Sequence, residues 1–544
     1  MLIFYYYIKM TLYDSIIIGG GISGLFIAYK LAESGKDILL LESTNRLGGR
    51  IYTYNDKDIQ VELGAGRISE SHTKLFSLLR ELDITMDDLI ELPSDINYKL
   101  KTQNINYYSL VNDIKKKTRK MSKDYKQSVN LLQLCIDSLG YDIAKIFQAK
   151  LGYDSEFEYL NGNQALKSYK KDLFQPCKYY VMKQGLNYII SKLHDKIKTY
   201  PNITIKLNKH VSQIGKNFVT VGNVKYRSRN IVSCIPLNPL LKFDKFNQYE
   251  ILTNIEPIPL IRIYAKYPKN KDGSVWFSKM KRTITDNYIR HIIPIDYESG
   301  IIMISYTDGL LAKMWSDLSK QGNSLLMDKL HKEIYKLFKI KPPKPLVVKY
   351  FYWNEGIHMW KSGIDVDKLY ETIKQPFLNE KIYIANEAFS KHQGWIEGSL
   401  DMCYDVLSLI DPLFKKIKGG NFKSISNSNR SNSKKLKKTK KPKSNKYTIN
   451  EVLNHKYWII LKINNDYRIY DVKKWMNKHP GGKNNLLEGI AANKYYLDSE
   501  KYPTEPIKLF KSITKHHDSN VINKMLLNSN ENITFIGYLK NNDY

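Results

Sequence analysis

No run of about 18 consecutive apolar residues occurs in the 544-residue chain, and the patch LIFYYYI at residues 2–8 is too short to span a bilayer or serve as a signal core. The sequence therefore predicts a soluble protein. Cysteine is scarce: Cys135, Cys177, Cys234 and Cys403 lie scattered without CxxC spacing, which argues against a zinc site and a disulfide framework. A reducing, intracellular (cytoplasmic) setting fits. Acidic residues are missing from residues 415–446, where thirteen Lys or Arg stand among Ser and Asn. Such a segment cannot bury a core and reads as a basic, disordered linker. Its charge also matches a nuclear-targeting signal, or contact with nucleic acid or an anionic surface. It holds 13 of the net +31 charges and leaves +18 elsewhere, so much of the basicity belongs to a tether. The whole, 42% apolar and 26% charged, is globular in composition and long enough for roughly three to four units of about 150 residues.

What is present begins at residue 13. YDSIIIGG is a short Ile-rich run that reads as a buried parallel strand, and ISGLFIAYKLAESG then shifts to helical spacing and stops at Gly35. Between them Gly19, Gly21 and Gly24 stand in GxGxxG register. These permit a tight turn, close approach of backbone to a pyrophosphate, and close helix–strand packing. A second strand, KDILLLE, ends in Glu42, 18 residues after Gly24, where a carboxylate can accept ribose hydroxyl hydrogen bonds. The pattern predicts a grip on a dinucleotide lacking a 2′-phosphate.

After Glu42 come STNRLGGRIYTY, with Gly48, Gly49 and Arg50, and VELGAGRISESH, with Glu62, Gly64, Ala65 and Arg67; KIYIANEAFSKHQGWIEGSL follows at 381–400. In these ordered motifs, from about residue 12 to 412, the chain resembles the FAD-dependent flavin amine oxidase family, whose members include L-amino acid oxidases and monoamine oxidases. The resemblance implies an α/β fold: a Rossmann-like FAD domain of the GR2 flavoprotein type with an interleaved α+β substrate domain. FAD-binding segments are expected at 12–67, 179–240 and 379–414, and substrate-domain segments at 68–178 and 241–378. It also implies FAD contacts from Gly19, Gly21, Gly24, Glu42, Gly49, Arg50, Arg67, Val211, Glu387, Trp395 and Ile396.

The same resemblance implies the chemistry, in which a neutral amine loses a hydride equivalent to flavin N5 and the imine is then hydrolysed. Trp395 takes one position of the aromatic cage beside the flavin, with His358 or Trp360 as the second ring. Gly356-Ile357 stand where monoamine oxidases carry a flavin-bonded cysteine, so FAD is expected to bind non-covalently. The family's lysine near N5 is replaced by Arg262, with Lys266 four residues on, and arginine cannot serve as a base. Asn386 replaces the usual glycine before Glu387. Arg67 either pairs with a substrate carboxylate, as in L-amino acid oxidases, or contacts only flavin. Substrate class thus stays open between amino acids and (poly)amines, with molecular oxygen or a redox partner as acceptor.

A new unit is expected at 447–541. YTINEV, WIIL, a hairpin turn at Asn464-Asn465-Asp466, YDV, Trp475 and His479-Pro480-Gly481-Gly482 together resemble the cytochrome b5-like haem-binding domain, a small α+β fold. The resemblance implies haem b held between two imidazoles, His479 and either His516 or His517, which lie 37 and 38 residues further on. The linker of 32 residues spans roughly 30 Å as a flexible coil, within reach of electron relay from flavin to haem. The leading expectation is a flavin amine or amino-acid oxidoreductase with a tethered haem carrier. Its rivals are an FAD-dependent desaturase or isomerase of an apolar substrate, and a non-enzymatic nucleic-acid-associated flavoprotein.

Overall fold

The computed structural model describes residues 12–101, 105–172 and 177–414, and, towards the C-terminus, 446–447, 452–455, 458–463, 466–471 and 534–539. The chain divides into two compact units, Met1–Ser428 and Asn429–Tyr544. The elements that build the first unit's site are, in chain order, β1 (Leu12–Ile18), α1 (Ile22–Glu33), β2 (Ile38–Leu41), α2 (Asp154–Tyr159), α3 (Gly162–Asp172), β3 (Ile203–Lys206), β4 (Val211–Ile214), β5 (Phe218–Val221), β6 (Val224–Ser233), β7 (Ile255–Lys266), β8 (Ile301–Asp308), β9 (Val347–Trp360), β10 (Ile382–Ile384) and α4 (Ile396–Ile410).

The first sheet runs β4-β5-β6-β1-β2-β3, with β10 also pairing β6. Its heart is parallel: β1 pairs with β2 and β6, β2 with β3, and β6 with β10. Parallel strands covered on both faces read as unbroken apolar runs, because successive side chains must all be buried. This is why SIII and ILLL show no polar alternation. Ile17, Leu40 and Val232 face one core together with Leu25, Ala28 and Leu31 of α1; Ile16, Ile18, Leu39, Leu41 and Ile231 face a second core on the other side. All seven strands come from residues 12–41, 203–233 and 382–384.

The intervening segments supply a second sheet of six strands. Its first three are β9-β7-β8, mutually antiparallel; His291–Asp296, Thr283–Thr285 and Asn97–Lys99 continue it. The last pair is parallel, so the sheet is mixed. Helices fill Tyr107–Asp172 and bury Val111, Leu131, Phe147 and Phe157 against Ile258 and Met359 of this sheet. Among the described residues, no helix is long and apolar enough to cross a membrane.

In the second unit four strands, Lys446–Tyr447, Trp458–Ile463, Asp466–Asp471 and Thr534–Leu539, form one sheet. Ile463 stands opposite Asp466 in an antiparallel pair; residues 464–465, in the stretch where the sequence places a turn, lie outside the described residues. Residues 415–445 of the basic segment, and the haem-ligand candidates His479, His516 and His517, lie outside the described residues.

Candidate active site

β1 delivers the chain into the glycine turn, and two glycines there are set by opposite demands. A Cβ on Gly24 would stand 1.9 Å from the carbonyl oxygen of Gly19, so α1 packs against the turn only because that position has no side chain. A Cβ on Gly21 would meet no protein atom closer than 4.0 Å and would instead project into a cavity of about 520 Å³. Ile22 and Ser23, the first residues of α1, line that cavity. The helix has no side-chain cap and no acid in its first turn, so its free N–H groups and positive dipole end are left for an anion. Glu42, at the end of β2, also lines the cavity; it accepts from the backbone N–H of Gly20 at 2.7 Å and of Thr44 at 2.8 Å.

Arg50 reaches the same cavity and ties its walls together. Its guanidinium pairs with Glu387 at 2.5 Å, donates to Asn386 Oδ1 at 3.0 Å, and donates to the Gly356 carbonyl at 3.1 Å. Glu387 also accepts the Gly394 N–H at 2.6 Å. Burial pushes the Glu387 carboxyl up, but Arg50, His358 and the Gly394 N–H outweigh it and hold it at about 2. Asn386, where glycine was expected, accepts from Arg50 and donates to the Cys234 carbonyl at 2.8 Å, joining the end of β10 to the end of β6.

His358 and Trp360, the candidates for a second cage ring, are fully buried and do not line the cavity. His358 bridges Glu387 at 3.1 Å and Glu355 at 3.2 Å; Trp360 donates to the Ser390 carbonyl at 2.8 Å and packs into the second core. Lys266 is likewise off the cavity: four residues beyond Arg262 along β7, about 13 Å in an extended strand, it donates to the Asp58 carbonyl. Val211 is buried at the start of β4, paired with Val221, and does not line the cavity either.

Trp395 and Ile396, at the start of α4, do line it. Neither ring close beside Trp395 lines the cavity: His72 stands edge-on with centroids 4.8 Å apart, and Tyr179 lies near-parallel to Trp395 at 16° with centroids 6.2 Å apart. Arg67 lies over both, 5.0 Å from Tyr179 and 5.3 Å from Trp395, and donates to Tyr153 Oη at 3.3 Å. Arg262 lies 4.7 Å over the Tyr306 ring and donates to the Glu62 carbonyl at 3.2 Å. Neither guanidinium has a carboxylate within ion-pair distance among the described residues. Tyr153, Glu156, Tyr169 and Tyr306 complete this end. Sequence reading passed over all four, because they stand in segments without nucleotide motifs; a tyrosine-rich helical stretch was the only signal there.

The sequence profile described as flavin containing amine oxidoreductase matches residues 22–401, more than two thirds of the chain. The chain belongs to that family. Among curated relatives, the L-amino-acid oxidase of Pseudechis australis is 32% identical over 111 residues, 20% of this chain and 19% of its own length. Aplysianin-A of Aplysia kurodai is 46% identical over 72 residues, 12% of this chain and 13% of its own. The chain thus spans less than a fifth of either relative in these matches. Cyclohexylamine oxidase from Brevibacterium oxydans shares the fold, with a TM-score of 0.58 at 15% identity over 75% of this chain and all of that one.

The flavin that the family implies fits the residues present. The space a Gly21 side chain would fill, the uncapped start of α1, and the Glu42 carboxylate all open on one cavity that continues to Trp395 and Ile396. A Gly21→Val variant is expected to retain the apo fold, because the added atoms enter the cavity, yet to lose bound FAD. Flavin absorbance after gel filtration, set beside a thermal melt, checks both halves.

Proposed function

We propose that this family member oxidises an L-amino acid, with non-covalently bound FAD as the two-electron acceptor. The observation that carries the reading is Arg67: a half-buried guanidinium at the cavity wall, with no carboxylate within ion-pair distance among the described residues, framed by Tyr153, Tyr179 and Trp395. A charge partly withdrawn from water and left unpaired is costly, and a substrate carboxylate would supply a partner through charge-assisted hydrogen bonds. An apolar substrate of a desaturase or isomerase would leave that charge uncompensated, and so would a simple amine.

On this reading, the segments 12–67, 179–240 and 379–414 form the FAD domain. The turn at Gly19–Ser23 and the start of α1 hold the pyrophosphate, Glu42 takes the ribose hydroxyls, and Gly49, Arg50 and Glu387 brace the far wall. Bound there, FAD accepts a hydride equivalent from the carbon bearing the nitrogen. Arg67 anchors the carboxylate, the Trp395 ring fixes the approach of the nitrogen, and Leu160, Leu260, Ile357 and Met359 exclude water from the lining. Cys234 also lines the cavity, but burial pushes its thiol well up, which keeps it protonated and supports non-covalent binding.

The motif series at 447–482 supports a further proposal: the second unit binds haem b through His479 and one of His516 and His517, and takes electrons from the flavin. Visible spectra recorded without oxygen, on addition of L-amino acids and of the corresponding decarboxylated amines, test both proposals. Bleaching of the flavin bands by amino acids alone is expected, followed by growth of reduced-haem bands. Bleaching by amines alone would sink the amino-acid reading. Bleaching without any haem signal would sink the relay and leave oxygen as the acceptor.

A further inference from the structure

At neutral pH an amino acid carries an ammonium group, and a carbon–hydrogen bond beside it cannot surrender a hydride until the nitrogen has its lone pair. The proton must leave to some group at the cavity wall. Three of the lining carboxylates are already engaged: Glu42 with the N–H groups of Gly20 and Thr44, Glu387 with Arg50, and Glu355 with His358 and the Asn238 N–H. Arg67 and Arg262 are cations, and burial pushes the Tyr169 and Tyr306 hydroxyls far up. Of the lining carboxylates only Glu156, on α2, remains. One of its oxygens accepts from Tyr169 Oη of α3, while the other has no hydrogen-bond partner among the described residues. The side chain lies deep in the molecule, and its exposed surface opens on the cavity.

We propose that Glu156 takes the proton from the substrate ammonium, with Tyr169 holding its carboxylate in place; this rests on the amino-acid reading above. One N–H bond breaks, its electron pair stays on nitrogen, and an O–H bond forms on Glu156. The charged and titratable groups facing Glu156 are Tyr169, Asp308 at the end of β8, Arg67, and Tyr107 from the helix Tyr107–Thr118. Burial pushes the Glu156 carboxyl up, Asp308 adds to this, and the Tyr169 hydrogen bond and Arg67 oppose it, for a value of about 7. A group with that affinity can take the proton near neutrality and pass it to water afterwards.

The test is the rate of flavin reduction by an L-amino acid without oxygen, from about pH 5 to 10, in the full chain. Because the accepting form is the carboxylate, the wild-type rate should rise through about pH 7 and then level. Glu156→Gln should lower the rate at pH 7 by about 10²–10³-fold and push the rise to alkaline pH, where the substrate amine loses its proton unaided. Tyr169→Phe removes a hydrogen bond that favours the carboxylate, so its rise should move up by about one pH unit. Glu156→Gln with the wild-type profile overturns the proposal, and so does an equal loss at every pH, which marks a structural role. If Glu156→Gln fails to hold FAD, the Tyr169→Phe shift decides alone. A wild-type flavin that no amino acid reduces is a different failure, that of the amino-acid reading itself.

Discussion

Replacing Arg67 with methionine is expected to lower kcat/KM for an L-amino acid by about 10²–10³-fold, the equivalent of about 3–4 kcal/mol of charge-assisted hydrogen bonding to a buried carboxylate. Turnover of the matching decarboxylated amine should hold or improve. The reasoning is local. Arg67 lies over the Tyr179 and Trp395 rings, and its one hydrogen bond among the described residues, to Tyr153, leaves most of its five donors unused. Methionine keeps the length and the packing against the rings while removing the charge. Arg67→Lys should recover little, since a point charge cannot reproduce a planar fork stacked on rings. Steady-state kinetics on the acid and amine pair decide the matter: an equal loss on both would move Arg67 from the substrate to the flavin.

Replacing Glu387 with alanine should produce the largest loss of stability. It leaves the Arg50 guanidinium without its carboxylate and strips His358 of one of its two acidic neighbours, at a cost of about 3–5 kcal/mol for breaking a buried pair. The wall between Gly356 and Gly394 would then lose its brace, and FAD affinity should fall with it. Glu387 also gives the fold a particular acid sensitivity. Its folded value of about 2 lies below its ordinary value of 4.5, so its contribution is present in full above about pH 4.5 and is lost as pH falls towards 2. The amount is on the order of 3 kcal/mol. Denaturant titrations between about pH 6 and 2 should show that acid loss in wild type and a flatter dependence in Glu387→Gln; parallel curves would refute it.

The strand, glycine turn and helix were legible in the sequence because each part is short-range. Strand, glycine turn and helix are contiguous, and the constraint on Gly24 is a contact with Gly19 only five residues away. Glu42 follows from the next strand, whose register against β1 is set by apolar residues buried on both faces. Arg67 and Trp395 could be nominated for the same reason: each sits in a motif whose neighbours in sequence are its neighbours at the cavity.

What sequence could not decide is what meets across the interleaved segments. His358 and Trp360 stand in an aromatic stretch that reads as a wall of the site. The pairing of β9 with β7 turns both away from the cavity, one into an ion network and one into a core. Lys266 fails by distance along a strand, which residue type does not reveal. Tyr179 stacks beside Trp395 from a different segment, and Glu156 acquires its raised proton affinity from burial, to which Asp308, 152 residues away, adds. Sequence alone determined the family and the strand, glycine turn and helix that open the chain's first sheet, because motif residues act through local backbone shape. Tertiary structure decided which side chains line the cavity and which carboxyl among them has its proton affinity raised, because orientation and desolvation are properties of packing between distant segments.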